Sequence, residues 1–146
     1  MDTRDLQIIS ILQDDGKSTN LTIARSIDTS EETVRRRRER LLGSGDMRIV
    51  CIPDPSLLGY GTQALIGLSV DLASVDAVAA ELAGIDEITW VSITTGLYDI
   101  LIWVVTRSTA TLKTLLGEQI GAVTGVLRSE TFVCLENRKE RHGVKV

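Results

Sequence analysis

The sequence predicts an α+β chain in two parts: three short helices with a short strand, then a βαββαβ sandwich. Three observations predict it. Apolar residues recur at helical spacing as far as Leu42, and strand-like runs alternate with helical ones after that. The only two prolines, Pro53 and Pro55, flank Asp54 where the character changes, and fix an extended, turn-like hinge. Arginine fills five of the six positions 35–40 in a chain whose net charge is −4.

In the first part, Leu6, Ile9 and Leu12 repeat at helical spacing, with Ile8 and Ile11 widening the stripe. Asp2 can cap this helix and Asp15-Gly16 ends it. Thr19 caps a second, short helix carrying Leu21, Ile23, Ala24 and Ile27, and Asp28-Thr29 forms a tight turn. Ser30 caps a third helix, whose first-turn Glu31 and Glu32 suit the helix dipole. That helix runs through the arginines to Leu41 and Leu42 and stops at Gly43-Ser44-Gly45, and a short strand, Arg48 to Ile52, follows. Three short helices, the last basic and entered through a tight turn, describe a helix-turn-helix unit of the kind that reads DNA. About 50 residues are marginal alone, so the unit needs support from the rest of the chain.

The second part reads strand 64–72, helix 75–83 along Val75, Val78, Ala79 and Leu82, and strands 88–94 and 99–106 joined by Thr95-Gly96-Leu97-Tyr98. Helix 109–120 along Leu112, Leu116 and Ile120 and strand 126–136 complete it. This order is the ferredoxin-like split fold, with both helices on one sheet face. Ile100 to Val105 is apolar at every position, so both faces of that strand should be buried. The helices cover one face. The other is expected to meet a second copy of the chain, with Trp90 and Trp103 in the sheet or dimer core. The expected domains are 1–52, a hinge 53–63, a sandwich 64–140 and a tail 141–146.

Composition narrows the chemistry. With 43% apolar and 25% charged residues the chain reads as globular, and no apolar run reaches the ~18 residues of a membrane helix. Met-Asp-Thr-Arg-Asp is no signal peptide, so a cytoplasmic protein is expected. Cys51 and Cys134 lie outside any CxxC spacing and read as buried thiols. The single histidine, His142, reads as a solvated tail residue and leaves little room for Ser-His-Asp, Cys-His or histidine-rich metal sites. No cofactor and no metal are expected. A binding protein, or an enzyme working without histidine, remains.

The arginines are focused on one helix, because residues 1–52 balance nine basic against nine acidic groups. At about 100° per residue, with Val34 at 0°, Leu41 falls near 340° and the two define the inward face. Arg36, Arg40 and Thr33 fall at about 200°, 240° and 260°, pointing outward to base edges or groove-floor phosphates. Arg35 and Arg37, at about 100° and 300°, sit on flanks suited to phosphate. With Ser30 these residues form the candidate DNA-contact set; a solvated charged face is the plain alternative. Arg38, at about 40°, points inward, where its stem packs and its guanidinium snorkels or pairs with an acid.

Leu6, Ile9, Leu12, Asp15-Gly16-Lys17, Ala24, Ser30, Val34, Arg37, Arg40-Leu41, Asp54-Pro55, Leu58-Gly59, Gly96, Tyr98-Asp99, Gly125-Val126, Ser129 and Thr131 stand in a specific order and spacing. In these the chain resembles the Lrp/AsnC family, the feast/famine transcriptional regulators, over residues 2–140. The resemblance implies a sequence-specific DNA-binding regulator in which a winged helix-turn-helix is joined by an extended strand to a ligand-sensing, oligomerising ferredoxin-like sandwich domain. It also implies homodimers that assemble into tetramers, octamers or similar rings. Small effectors, often amino acids, would bind between dimers near Gly96, making Thr95, Gly96, Leu97, Tyr98 and Asp99 the candidate effector residues.

Three departures stand out. Asp28 replaces the family's usual turn glycine, and Arg38 a usually apolar residue. Leu97 takes an often acidic position, which leaves Asp99 to meet an ammonium. Gly96 and Asp99 also suit a plain hairpin, and Tyr98 a packing role. Two other classes stay open at this point. One is a metabolite-sensing assembly protein without DNA binding. The other is an enzyme resembling siroheme decarboxylases, whose two-domain build is shared but whose expected histidines and arginines are not: residues 56–136 hold no histidine and only Arg107 and Arg128.

Overall fold

The computed structural model describes residues 1–139 and 143–146, so His142 lies outside the described residues. The chain divides into two compact units, one built on Met1–Ile52 and the other on Pro53–Lys139.

The first unit holds α1 (Thr3–Asp14), α2 (Asn20–Ser26) and α3 (Glu31–Gly43). Each begins at the cap its sequence supplies: Asp2, Thr19 and Ser30 accept from backbone amides three residues on. Ile8, Leu12, Ile23, Ala24 and Val34 form the core, with Leu41 also buried. The α1 stripe is turned from the expected phase. Leu6 is exposed and Ile9 only half-buried, while Asp5, Ile8 and Leu12 point inward. Leu21 of α2 is likewise exposed.

The expected strand Arg48 to Ile52 does not form, so there is no wing among the described residues. A strand needs a ladder partner, and among the described residues this segment has none. Cys51 consequently stands exposed, not buried, and Cys134 is half-buried. Residues 143–146 return to α1, where the Gln13 amide donates to the Val144 carbonyl (2.6 Å) and accepts the Val146 N–H (3.0 Å).

The second unit holds β1 (Thr62–Val70), α4 (Val75–Leu82), β2 (Ile88–Ile93), β3 (Ile100–Thr106), α5 (Thr109–Thr114) and β4 (Val126–Val133). The sheet is antiparallel in the order β2-β3-β1-β4. Ala64, Ile66, Leu68, Ile100, Ile102 and Val104 pack with Val78 and Leu82 of α4 and Leu112 of α5. α5 is shorter than expected and continues as a π turn over Leu115–Gln119. The buried stripe passes through Leu115, three residues after Leu112, and Leu116 is only partly buried.

The other face of β3 is only half-covered within one chain. Leu101, Trp103 and Val105 are intermediate in exposure, and Trp90, directly opposite Trp103, is 48% exposed. Within one chain the helices thus cover one face of β3 and leave the other half-open. No helix among the described residues is long and apolar enough to cross a membrane.

Candidate nucleic-acid interface and effector turn

The turn into α3 reverses the chain at Asp28, the only non-glycine among the described residues with positive φ (49°). Asp adopts this left-handed backbone more readily than most residues, so it does the work of a glycine here. Ser30 then accepts the Thr33 N–H (3.2 Å) and shares a hydroxyl bond with Thr33 (2.7 Å). Both candidate residues therefore sit in the cap. Val34 and Leu41 are buried as the helical phase requires.

The five arginines are not five free charges. Arg35 bonds Glu32 (2.6 Å) and Glu39 (3.0 Å) on the helix surface. Exposed pairs like these contribute only ~0–1 kcal/mol, so a phosphate can displace them. Arg37 turns back to α1, bonding Asp2 (2.7 Å) and Asp5 (2.8 Å), and its side chain is 21% exposed. Its buried Nε finds no acceptor among the described residues. Arg38 is half-buried as its phase demands, but its guanidinium meets the Ser18 carbonyl (3.4 Å) and the Asn20 side chain (3.3 Å), not an acid. Arg40 bonds Asp5 through Nη2 (2.6 Å) and stays 55% exposed. Arg36 is exposed and has no hydrogen-bond or ion-pair partner among the described residues. Arg36, Arg37, Arg40 and Asp2 line an open cleft of about 360 Å³.

Asp5 is the residue that sequence reasoning missed. Its side chain is 1% exposed. Burial alone would raise its pKa. The Asp2 amide and the Arg40 and Arg37 guanidiniums together outweigh burial and hold the carboxyl well below the usual carboxylate range. The only sequence signal was its place three residues after the cap Asp2, which is the capping-box spacing.

In the second unit, Thr95, Gly96 and Leu97 are exposed and Gly96 has φ 136°, the conformation that requires glycine. Asp99 is half-buried, and its Oδ2 accepts the Val70 N–H (2.8 Å) at the bulge that ends β1. The turn is closed by Thr94, which the sequence did not single out: its hydroxyl donates to the Tyr98 carbonyl (2.6 Å) and its N–H to the Asp99 carbonyl (2.8 Å). The Tyr98 hydroxyl donates to Glu130, and its ring meets Phe132 edge-on at 6.5 Å. Among the described residues no cluster of acidic, cysteine or histidine side chains is placed to hold a metal.

Comparison with known proteins covers both units. Residues 1–42 match the AsnC-type helix-turn-helix domain and residues 63–144 the Lrp/AsnC ligand binding domain. The HTH-type transcriptional regulator FL11 of Pyrococcus horikoshii is 35% identical over 141 residues, 96% of this chain and 93% of that protein. The regulatory protein AsnC of Haemophilus influenzae is 27% identical, covering 94% of this chain and 93% of its own length. The structure of E. coli AsnC superposes with a TM-score of 0.91 at 28% identity, covering 100% of this chain and 99% of the other. The fold is also that of the transcriptional regulator NMB0573 of Neisseria meningitidis, solved as an L-Met complex (TM-score 0.90, 20% identity, 99% and 96% covered).

Proposed function

Because the chain belongs to the Lrp/AsnC family of helix-turn-helix transcriptional regulators, we propose that it reads double-stranded DNA with the outer face of α3 as a two-fold dimer, modulated by a small metabolite at the 95–99 turn. The family is one of DNA-binding regulators, not enzymes.

Arg36 carries the reading. It is the exposed, unengaged guanidinium on the outer face of a helix whose other arginines are held by acids or carbonyls. A guanidinium free of internal partners is the group best suited to a guanine edge or a phosphate. Arg40 and Thr33 stand beside it, Ser30 caps the helix that aims it, and Arg35 reaches phosphate by exchanging its surface glutamates. Arg37 reaches DNA only by leaving Asp2 and Asp5.

The open face of the sheet supports the dimer. Trp90, Trp103, Leu101, Leu65 and Phe132 share it and leave an apolar surface of a kind monomers seldom expose. A second copy covers it symmetrically, which also supplies two recognition helices for paired half-sites. Such dimers assemble further into tetramers or octamers.

At the effector turn, Leu97 offers no charge, and Asp99 already uses one oxygen on the Val70 amide. Ordinary free amino acids therefore bind weakly or not at all, and whatever binds does so through Asp99 and the Thr95–Leu97 backbone. Calorimetric titration with the twenty amino acids is the direct check, with L-methionine first given the Neisseria complex.

The experiment for DNA reading is a salt titration of binding. If Arg35, Arg36 and Arg40 meet phosphates in both subunits, about six charges are neutralised and the log–log slope is roughly −5. A slope near −1 overturns the assignment.

A further inference from the structure

The capping box of α1 is also a ligand for α3. Asp5 N–H donates to Asp2 Oδ1 and Asp2 N–H to Asp5 Oδ2, both at 3.0 Å. The remaining carboxylate positions take guanidinium donors from α3: Arg37 Nη1 meets Asp2 Oδ2 and Asp5 Oδ1, and Arg40 Nη2 meets Asp5 Oδ2. A buried carboxylate persists only when paired this fully. Yet the pairing is uneven. Arg37 is drawn inward, whereas Arg40 spends one donor on Asp5 and keeps Nε and Nη1 on an exposed head. Arg36 stands four residues before Arg40, one turn away on the same side of the helix.

We infer that Asp5 is a positioning residue for DNA reading: it anchors the Arg40 guanidinium so that its free edge and Arg36 form a preset pair, and it withholds Arg37 from phosphate. The inference rests on α3 being the reading helix. An unanchored arginine has many rotamers, and much of that freedom is lost when it reads a base. Five loose arginines would also grip any phosphate backbone regardless of sequence. The buried carboxylate lowers both effects. Asp5 thus trades general affinity for sequence preference without touching DNA.

This reading makes specific and non-specific binding move in opposite directions, which a purely structural role does not. The probes are a duplex enriched from a random pool by the unaltered protein and a random-sequence duplex of equal length. Asp5→Asn frees Arg40 and leaves Arg37 held by Asp2 alone. The random duplex is then bound several-fold more tightly, the salt slope steepens by about one to two per subunit, and the preference for the enriched duplex falls about tenfold. Asp5→Glu, which keeps the charge and suits the third position of a capping box, restores slope and preference. Equal losses on both duplexes at an unchanged slope overturn the proposal. Should Asp5→Asn fail to fold, Arg40→Lys decides. Lysine keeps the charge but cannot hold Asp5 and present a fork at once, so preference falls while random-duplex affinity stays; unchanged preference overturns the proposal. Arg36→Ala separates this from the α3 reading itself: if it leaves the enriched duplex unaffected, that reading fails whatever Asp5 does.

Discussion

The ring of Tyr98 lies against the backbone of Gly67, so close that a Cβ on Gly67 would stand 2.6 Å from the ring. Real Cβ atoms do not approach so near. The glycine thus clears a seat on β1 for the aromatic residue that follows the 95–97 turn. Gly67→Ala unseats Tyr98, breaks its bond to Glu130 and loosens the turn, costing about 1–3 kcal/mol. Thermal unfolding measures the loss, and a variant as stable as the parent would show that the ring relocates freely.

The Asp5 carboxyl gives the fold an acid limit. Its native pKa lies below the ordinary 3.8. Its ionised form therefore stabilises the fold fully above that value, and the contribution fades as pH falls towards the lower native one. The Asp2 carboxyl, lowered by Arg37, acts in the same direction. The melting temperature of the parent should drop steeply below about pH 4, and Asp5→Asn should flatten that drop. Equal acid sensitivity of parent and variant would remove Asp5 from the account.

Asp28 is tested by the residue that replaces it. A β-branched residue tolerates φ 49° poorly, so Asp28→Val should cost about 1–2 kcal/mol, while Asp28→Gly should be neutral or slightly stabilising. Chemical denaturation gives both values. A harmless valine would mean that the turn re-forms with ordinary backbone.

What was legible in the sequence was what local chemistry decides. Asp2, Thr19 and Ser30 cap their helices because a cap bonds within three residues, and Val34 and Leu41 face inward because helical phase needs no partner. The succession of strands and helices in the second unit followed from alternating periods. The α1 stripe was misplaced because counting apolar residues ranks Leu6 and Ile9 above Asp5. Asp5 is buried by Arg37 and Arg40, 32 and 35 positions away, and no window on α1 contains them. The missing strand at 48–52 fails for the opposite reason: its composition is right but the ladder has no partner among the described residues. The wheel put Arg36 and Arg40 on the exposed side of α3 and Arg38 inward, but left Arg37 on a phosphate-facing flank, because a wheel cannot tell a free guanidinium from one held by a neighbouring helix.

The half-covered sheet face predicts self-association. Sedimentation at micromolar concentration should give at least twice the 15.9 kDa of one chain, and Trp103→Glu should shift the population towards monomer. A parent protein that sediments as a single chain would leave Trp90 and Trp103 exposed without a reason.

The central claim is that α3 reads sequence through Arg36. Equilibrium binding of the parent and Arg36→Ala to the enriched and random duplexes tests it most directly. Arg36→Ala is expected to lose about 1–3 kcal/mol on the enriched duplex, with relaxed sequence preference and a smaller loss on the random one. Unchanged binding to both duplexes would contradict it.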